Sequence, residues 1–190
     1  MAKTGERKAQ ILQTLASMLE DPKGGRITTA LLAARLDVSE AALYRHFASK
    51  AQMFEGLIEF VEQTLFTLVN KIQSEEKDAM KQIESTITTL LGFAHKNPGM
   101  TRVLIGDALV NEDLRLQARV NQLLDRLEAS LRQSTRLAVS AEQLPADWDA
   151  TAYANALIAF VLGRWHQYAK SGFKRVPTEG WSQQWRVFAA

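Results

Sequence analysis

Residues 26–50, RITTALLAARLDVSEAALYRHFASK, decide the fold of the N-terminal part of this chain. Two short helical patterns, 28–36 and 40–45, are separated by only three residues, 37–39. A pair this short cannot bury enough apolar surface to fold alone, so it must pack on neighbouring helices. The arrangement predicts a helix-turn-helix, and the major groove of DNA admits a second helix of this kind.

Polar side chains at both helix starts have the chemistry of DNA contacts. Thr28 and Thr29 offer hydroxyls beside free amides, which suits a phosphate, although one of them could simply cap its helix. Ala41 would let the second helix approach base edges closely, whereas Ala42 is better explained by packing against the first helix. Lys50 adds a positive charge at the start of the next helix. The predicted DNA contacts are Thr28, Thr29, Ser39, Glu40, Ala41, Tyr44, Arg45, His46 and Lys50.

The rest of the chain has helical periodicity and no strand pattern. The fourth helix begins at Ser49, with Gln52 completing a capping box, and its core stripe is predicted as Phe54, Ile58, Val61, Leu65, Leu68 and Ile72. Pro22 and its glycine neighbours should end the first helix, and Asn97-Pro98-Gly99 should separate the fifth from the sixth. The predicted helices are 5–20, 28–36, 40–45, 49–74, 79–96, 100–108, 111–138, 148–171 and 178–189. We therefore expect an all-α protein with a DNA-binding head, 1–50, and a helical body, 51–190, for dimerisation and partner binding.

Composition and charge agree with a globular protein that meets an anionic partner at one end. Hydrophobic residues make up 46% and charged residues 23%, and there is no cysteine for a disulfide or a thiolate metal site. The first 50 residues hold eight Lys and Arg against five Asp and Glu, whereas the remainder holds fifteen against sixteen. Nothing resembles a signal peptide, and apolar runs such as 156–163 are far shorter than a membrane span. The sequence predicts a soluble, cytoplasmic protein.

The residue types that enzymes need are not grouped in this sequence. The three histidines, His46, His95 and His166, have no second histidine at metal-binding spacing. There is no glycine-rich phosphate loop, and the carboxylate pair Glu75-Glu76 lies in a polar stretch where perturbed pKa values are not expected. We expect no enzyme activity, no metal and no cofactor.

The segment VSEAALYRHFASK, residues 38–50, resembles the DNA-binding head of the TetR superfamily. It departs from the usual pattern in two places. Asp37 stands where glycine is common in the turn, and aspartate tolerates left-handed backbone better than most residues. Ala41 stands where many members have glycine, which bears on the bases that are read. The resemblance implies the TetR-like fold, with the body as a ligand-binding or dimerisation domain.

Longer segments of the body resemble one family within that superfamily, the nucleoid occlusion factors. They are LIEFVEQTL (57–65), LLGFAHKNPGMTRVLIGDAL (90–109), RLQARVNQLLDRLEASLRQ (115–133) and FKRVPTE (173–179). The resemblance implies a nucleoid-associated protein that binds double-stranded DNA at scattered chromosomal sites. Bound there, members of the family bind the tubulin-like division protein FtsZ and block assembly of the division ring over the nucleoid.

Several body residues fit a partner surface. Phe60 lies about 100° off the core stripe of its helix. Gly92 costs a helix interior about 1 kcal/mol relative to alanine, which suggests a surface kept bare for close approach. Lys96 and Asn97 follow at the end of the same helix. Ordinary core packing and helix termination would also account for these residues. The resemblance implies that Phe60, Gly92, Lys96 and Asn97 bind the C-terminal tail of FtsZ.

A homodimer is expected, because pseudo-palindromic DNA sites require two recognition helices about 34 Å apart. Whether one or two dimers occupy a site stays open. The interface candidates are Phe160, Trp165, Tyr168, Trp181 and Trp185, each of which could instead be intramolecular core. Two other functions compete: a ligand-responsive TetR-type repressor with a pocket among the fifth, seventh and eighth helices, and a helical interaction module whose basic head is incidental.

Overall fold

The computed structural model describes residues 4–21, 25 and 27–189, and the helices in these ranges confirm the all-α prediction. No strand occurs in these ranges. A short 3-10 helix at Asp107–Leu109 precedes the seventh α-helix. The α-helices are α1 (Thr4–Met18), α2 (Thr29–Arg35), α3 (Glu40–Tyr44), α4 (Lys50–Glu75), α5 (Ala79–Lys96), α6 (Pro98–Leu104), α7 (Leu114–Ser140), α8 (Ala150–Lys170) and α9 (Trp181–Phe188).

Side-chain caps define the helix-turn-helix. The Thr28 hydroxyl oxygen accepts the Leu31 amide at 3.2 Å and begins α2, and the Ser39 hydroxyl accepts the Ala42 amide at 3.3 Å and begins α3. Between the two helices Asp37 has a φ of 52°, the left-handed conformation that the sequence predicts for it. The turn therefore forms without a glycine at this position.

The start of α4 forms a variant of the predicted capping box. The Ser49 hydroxyl accepts the Gln52 amide at 3.2 Å, and the Gln52 side chain accepts the Ala48 amide at 2.8 Å. The predicted core stripe is wrong at Leu68, which is 41% exposed, whereas Val69 is fully buried. A helix of 3.6 residues per turn returns to the face of Leu65 four residues later, at 69.

The predicted break between the fifth and sixth helices is confirmed at Asn97, because α5 ends at Lys96, whereas α6 begins at Pro98, two residues earlier than predicted. Pro98 is the first residue of α6, a position where its missing N–H costs no helical hydrogen bond. Gly99 packs so closely on α1 that a Cβ atom would lie 2.1 Å from the Ala16 carbonyl oxygen. Arg102 donates to the Leu19 carbonyl at 3.2 Å. The break predicted at Pro22 lies outside the described residues.

By internal contacts the chain forms two compact units. One comprises residues 1–61 and 98–120, and the other comprises 62–97 and 121–190. The first unit therefore joins the helix-turn-helix to α6 and the start of α7. Its buried side chains include Leu15, Leu32, Leu43, Phe54 and Leu104. The predicted boundary between a DNA-binding head, 1–50, and a helical body, 51–190, stays a prediction.

In the second unit, aromatic side chains of α8 and α9 hold α5. The Trp165 indole donates to the Leu90 carbonyl at 3.2 Å, and the Tyr168 hydroxyl donates to the His95 carbonyl at 3.2 Å. The Trp181 indole donates to the Thr88 hydroxyl at 2.7 Å. All three rings are buried inside their own unit. Their burial and internal hydrogen bonds favour the alternative that the sequence left open, intramolecular core, and a dimer role for these rings stays a prediction.

None of the helices in the described part of the chain is both long enough and apolar enough to span a membrane.

The first residue of α5 is preceded by Asp78, whose carboxylate makes this helix start sensitive to pH. Asp78 Oδ1 accepts the Lys81 amide at 3.1 Å and the Gln143 side-chain amide at 2.9 Å. The backbone hydrogen bond from Lys81 holds the pKa of Asp78 below its usual 3.8. The charged cap therefore stabilises the fold above about pH 4, and this stabilisation is lost as the pH falls through the folded pKa.

We expect Asp78→Ala to lower the free energy of unfolding by about 1 kcal/mol at pH 7. Urea unfolding at pH 7, 5 and 3 should show the difference from wild type shrinking toward acid, because the protonated cap has lost its advantage. Asp147→Ala, which removes an exposed carboxylate from the α7–α8 linker, is the charge-matched control. A difference that is constant from pH 7 to 3 would contradict the assignment.

Candidate nucleic-acid interface

One face of α3 is exposed and carries most of the predicted DNA contacts. Ser39, Glu40, Ala41, Tyr44 and Arg45 are exposed. On the opposite face Leu43 is buried, and Ala42 is half-buried, as expected if it packs toward the rest of the unit. The short Ala41 side chain leaves the helix backbone accessible between longer polar neighbours. This is the geometry of a recognition helix that enters a groove.

The two threonines before and at the start of α2 have different partners. Thr28 is the helix cap, so its hydroxyl oxygen is used while its proton stays available to an outside acceptor. The Thr29 hydroxyl donates to Glu40 Oε2 at 2.5 Å and accepts from the Tyr44 hydroxyl at 3.5 Å. The Thr29 proton is thus bonded to a carboxylate, which changes the interpretation of this residue as a phosphate contact.

His46 follows α3 and is half-buried. Its Nδ1 atom is buried and has no hydrogen-bond partner among the described residues. The other ring nitrogen, Nε2, is therefore the atom that a phosphate oxygen would meet if the side chain binds DNA as the sequence predicts.

Lys50, the predicted phosphate contact at the start of α4, forms an ion pair with Glu112 in the loop before α7. The two side chains are only 19% and 10% exposed, and the Lys50 ammonium also lies 5.5 Å from the centre of the Phe54 ring. The lysine charge is therefore compensated within the chain. A phosphate could bind it only by exchanging with, or adding to, the Glu112 carboxylate.

The same unit contains a cavity of about 190 Å³ beside this ion pair. A second ion pair lines it, in which Arg102 Nε donates to Asp107 Oδ2 at 2.8 Å. Leu19, Ile27 and Phe54 supply apolar wall. Charged groups in the lining are thus already paired with each other. No group of three metal-ligating side chains occurs in the described ranges.

The predicted partner residues fall in both units and are described separately. In the first unit Phe60 is 48% exposed, which is a large exposed fraction for an aromatic side chain, and it lies off the core as predicted. In the second unit a Cβ on Gly92 would meet no heavy atom within 4 Å, and Lys96 is exposed. Asn97 caps α5, because its side-chain amide donates to the Phe93 carbonyl at 2.8 Å. Asn97 therefore has the helix-terminating role that the sequence left open.

Sequence reasoning missed Glu112, Gly99 and Arg102. Glu112 lies 62 positions from its partner Lys50, and an acidic residue in a loop has no local pattern that marks it. Gly99 follows a proline, so the sequence suggests a loop at this position. Because Gly99 is the second residue of α6, a glycine inside this helix is the signal that could have indicated a close approach between helices.

Two family models match this chain. The model of bacterial regulatory proteins of the tetR family matches residues 25–57, and the SlmA-like model, described as a tetracyclin repressor-like C-terminal domain, matches residues 77–190. The nucleoid occlusion factor SlmA of Alteromonas mediterranea is 52% identical over 186 residues, covering 98% of this chain and 95% of the relative. The chain belongs to the SlmA family. The SlmA of a Marinomonas species is 50% identical over 187 residues, with 98% and 95% coverage.

Solved structures with the same fold are more distant from this SlmA-family chain. The MbdR regulator of Azoarcus sp. CIB superposes with a TM-score of 0.82 at 14% identity, covering 98% of this chain and 97% of MbdR. The regulator FadR of Bacillus subtilis, solved with stearoyl-CoA, has a TM-score of 0.76 at 12% identity, with 96% and 97% coverage. At such identities these neighbours establish the TetR-type fold alone.

Proposed function

We propose that this chain is a nucleoid occlusion factor that binds double-stranded DNA through α3 and acts as a homodimer in the cytoplasm, on the nucleoid. The observation that carries the proposal is the 52% identity to a SlmA over nearly the whole chain. The exposed polar face of α3 beside capped helix starts supports the DNA-binding part. The proposed activity is binding, without a catalytic step, metal or cofactor.

The DNA contacts that we propose combine base-edge and phosphate groups. Ser39, Glu40, Ala41 and Arg45 lie on the exposed side of α3 and would face the major groove. Thr28, His46 and Lys50 would bind phosphates on either side, and Tyr44 would do so by turning its hydroxyl away from Thr29 Oγ1, its acceptor at 3.5 Å. Thr29, whose proton is held by Glu40, acts through that carboxylate.

Mapping of bound chromosomal sites tests this function against the ligand-responsive repressor. A nucleoid occlusion factor should occupy dispersed sites and be depleted near the replication terminus. Clustering of bound sites at gene starts, with release by a hydrophobic ligand, would support the repressor instead.

For the dimer, we propose the exposed side of α8 together with the half-buried rings Phe160 and Trp185. Ala156, Ala159 and Gly163 are exposed along α8 and would permit close helix packing. Phe160 lies 5.5 Å from Trp181 and 5.2 Å from Phe188 between ring centres, so this edge is aromatic and ordered by its own contacts. Exposed small residues beside an aromatic edge suit a two-fold interface, in which the same patch of each chain meets its copy.

The partner that we propose is the C-terminal tail of FtsZ, bound through Phe60, Gly92, Lys96 and Asn97. The exposed Phe60 ring offers apolar area, and the open space above Gly92 admits a peptide backbone. The exposed Lys96 ammonium can meet a carboxylate of the tail. Asn97 would keep its role as the α5 cap while it contacts the tail.

We expect Gly92→Ala to weaken binding of a labelled FtsZ-tail peptide by about tenfold while raising the free energy of unfolding by up to about 1 kcal/mol. The added methyl fills space that the peptide needs, yet it favours the helix. Fluorescence anisotropy, with specific DNA present, measures the affinity.

Gly5→Ala is the matched control, because its Cβ would also meet no heavy atom within 4 Å and Gly5 lies in α1, outside the proposed partner and dimer surfaces. Phe60→Ala should lower tail affinity as well, with DNA affinity unchanged. Tail binding by Gly92→Ala at the wild-type level would remove this glycine from the partner surface.

A further inference from the structure

Three polar side chains form a directed row of hydrogen bonds on the exposed side of the helix-turn-helix. The Tyr44 hydroxyl donates to Thr29 Oγ1 at 3.5 Å, and the Thr29 hydroxyl donates to Glu40 Oε2 at 2.5 Å. Thr29 begins α2, whereas Glu40 and Tyr44 are one turn apart on α3. The short bond to a charged acceptor is the stronger of the two. The row therefore fixes one oxygen of the Glu40 carboxylate and links the two helices.

A carboxylate on this face is costly unless DNA offers it a donor. Glu40 is exposed on the helix that would enter the groove, where phosphates and most base-edge atoms repel a negative charge. In the major groove guanine presents two acceptors and thymine one, whereas cytosine presents the N4 amino group as a donor. Adenine has an amino group too, but its N7 acceptor lies beside it. Cytosine is thus the base whose edge suits a carboxylate best.

We propose that Glu40 reads a cytosine amino group in the major groove and that Thr29 is the positioning residue that aims it. This inference rests on the proposed DNA-binding function of α3. With Oε2 held by Thr29, the second oxygen, Oε1, is the one that accepts from cytosine N4. The exposed Ala41 next in sequence leaves room for the close approach that this bond requires.

Glu40 then contributes discrimination more than affinity. Its charge opposes binding to every duplex, and only the correct base pair offsets this with a hydrogen bond. Thr29 limits the rotamers of the Glu40 carboxylate. At a wrong base pair the negative charge therefore stays close to the base edge and weakens binding. This role differs from the phosphate contact that the sequence predicted for Thr29.

The test uses a duplex selected by the wild-type protein from a pool with randomised sequence, together with all its single base-pair substitutions. Anisotropy titrations give the affinity of each duplex. At one C·G pair in each half-site, substitution of the base pair should weaken binding by the wild-type protein by about tenfold. Glu40→Ala should remove this preference and bind a random-sequence duplex several-fold more tightly. Glu40→Gln should instead favour A·T at that pair, because glutamine can pair with both N6 and N7 of adenine.

Thr29 is tested by variants that differ in one hydroxyl. Thr29→Val should lose most of the preference for the C·G pair, and Thr29→Ser should restore it. In the Glu40→Ala background, Thr29→Val should change nothing at this pair. These outcomes would support the proposal, and a merely structural threonine would not produce the rescue or the dependence on Glu40.

Two results would overturn the proposal. One is a Glu40→Ala protein that ranks all substituted duplexes as the wild type does. The other is a Thr29→Val protein that discriminates as the wild type does, which would remove the positioning role. Failure of the proposed function looks different, because the wild-type protein itself would then enrich no duplex from the pool.

Discussion

Gly99→Ala should lower the free energy of unfolding by about 3 kcal/mol, the largest loss that we expect from a single added methyl group. The Cβ atom would lie 2.1 Å from the Ala16 carbonyl oxygen and 3.1 Å from the Leu19 Cβ. The obstacle is backbone that closes the last turn of α1, since Ala16 O accepts the Leu19 amide at 3.1 Å. It cannot rotate away as a flexible side chain would. Either α6 separates from α1 or the helix end unwinds.

The measurement is thermal unfolding, in which a loss of this size corresponds to a fall of about 6–12 °C for a chain of 190 residues. DNA affinity should fall as well, because α1 packs against α2 of the helix-turn-helix and its C-terminal turn holds Arg102 through the Leu19 carbonyl. Gly5→Ala makes the same change in α1, at a position where a Cβ meets no heavy atom within 4 Å. Equal stability of Gly99→Ala and Gly5→Ala would show that the close approach between α1 and α6 is not tight in solution.

The second large effect concerns the ion pair between Lys50 and Glu112. We expect Lys50→Ala to lower the free energy of unfolding by roughly 2 kcal/mol, because it leaves a nearly buried carboxylate without its counter-charge. Weaker DNA binding by Lys50→Ala could therefore come either from this loss of stability or from a lost phosphate contact. Lys50→Met together with Glu112→Gln removes both charges while keeping side chains of similar length, and it should recover most of the lost stability.

DNA binding over a salt series then separates the two residues. If Lys50 exchanges Glu112 for a phosphate, Glu112→Gln should bind all duplexes more tightly, since the lysine is no longer compensated. The Lys50→Met/Glu112→Gln protein should bind all duplexes more weakly than Glu112→Gln, with a salt slope lower by about 1. Equal slopes in these two proteins would remove Lys50 from the phosphate contacts.

Much of the helix-turn-helix could be predicted because its determinants are local. The Thr28 and Ser39 hydroxyls each accept the backbone amide three residues ahead and so begin α2 and α3, and Asp37 adopts the left-handed conformation that its side chain tolerates. The use of each hydroxyl could not be predicted. Thr29 meets Glu40 across 11 positions, and only the crossing of two helices brings them together.

The body shows where periodicity is insufficient. Leu68 and Val69 are both apolar, and a shift of one residue decides which of them is buried. Trp165 and Tyr168 have an apolar body and a polar tip, so the same residues suit an interface or a core. Their hydrogen bonds to carbonyls of α5 decide for the core, and these partners lie more than 70 positions away.

The aromatic donors of α8 and α9 have a consequence for recognition. Because Trp165, Tyr168 and Trp181 each donate a hydrogen bond to α5, the proposed tail peptide would meet a helix that is already held by its own chain. A preorganised surface loses little conformational entropy on association, so the ordering cost falls on the incoming chain. We therefore expect a variant that lacks one of these hydrogen bonds to bind the proposed peptide at an unchanged association rate but to release it faster.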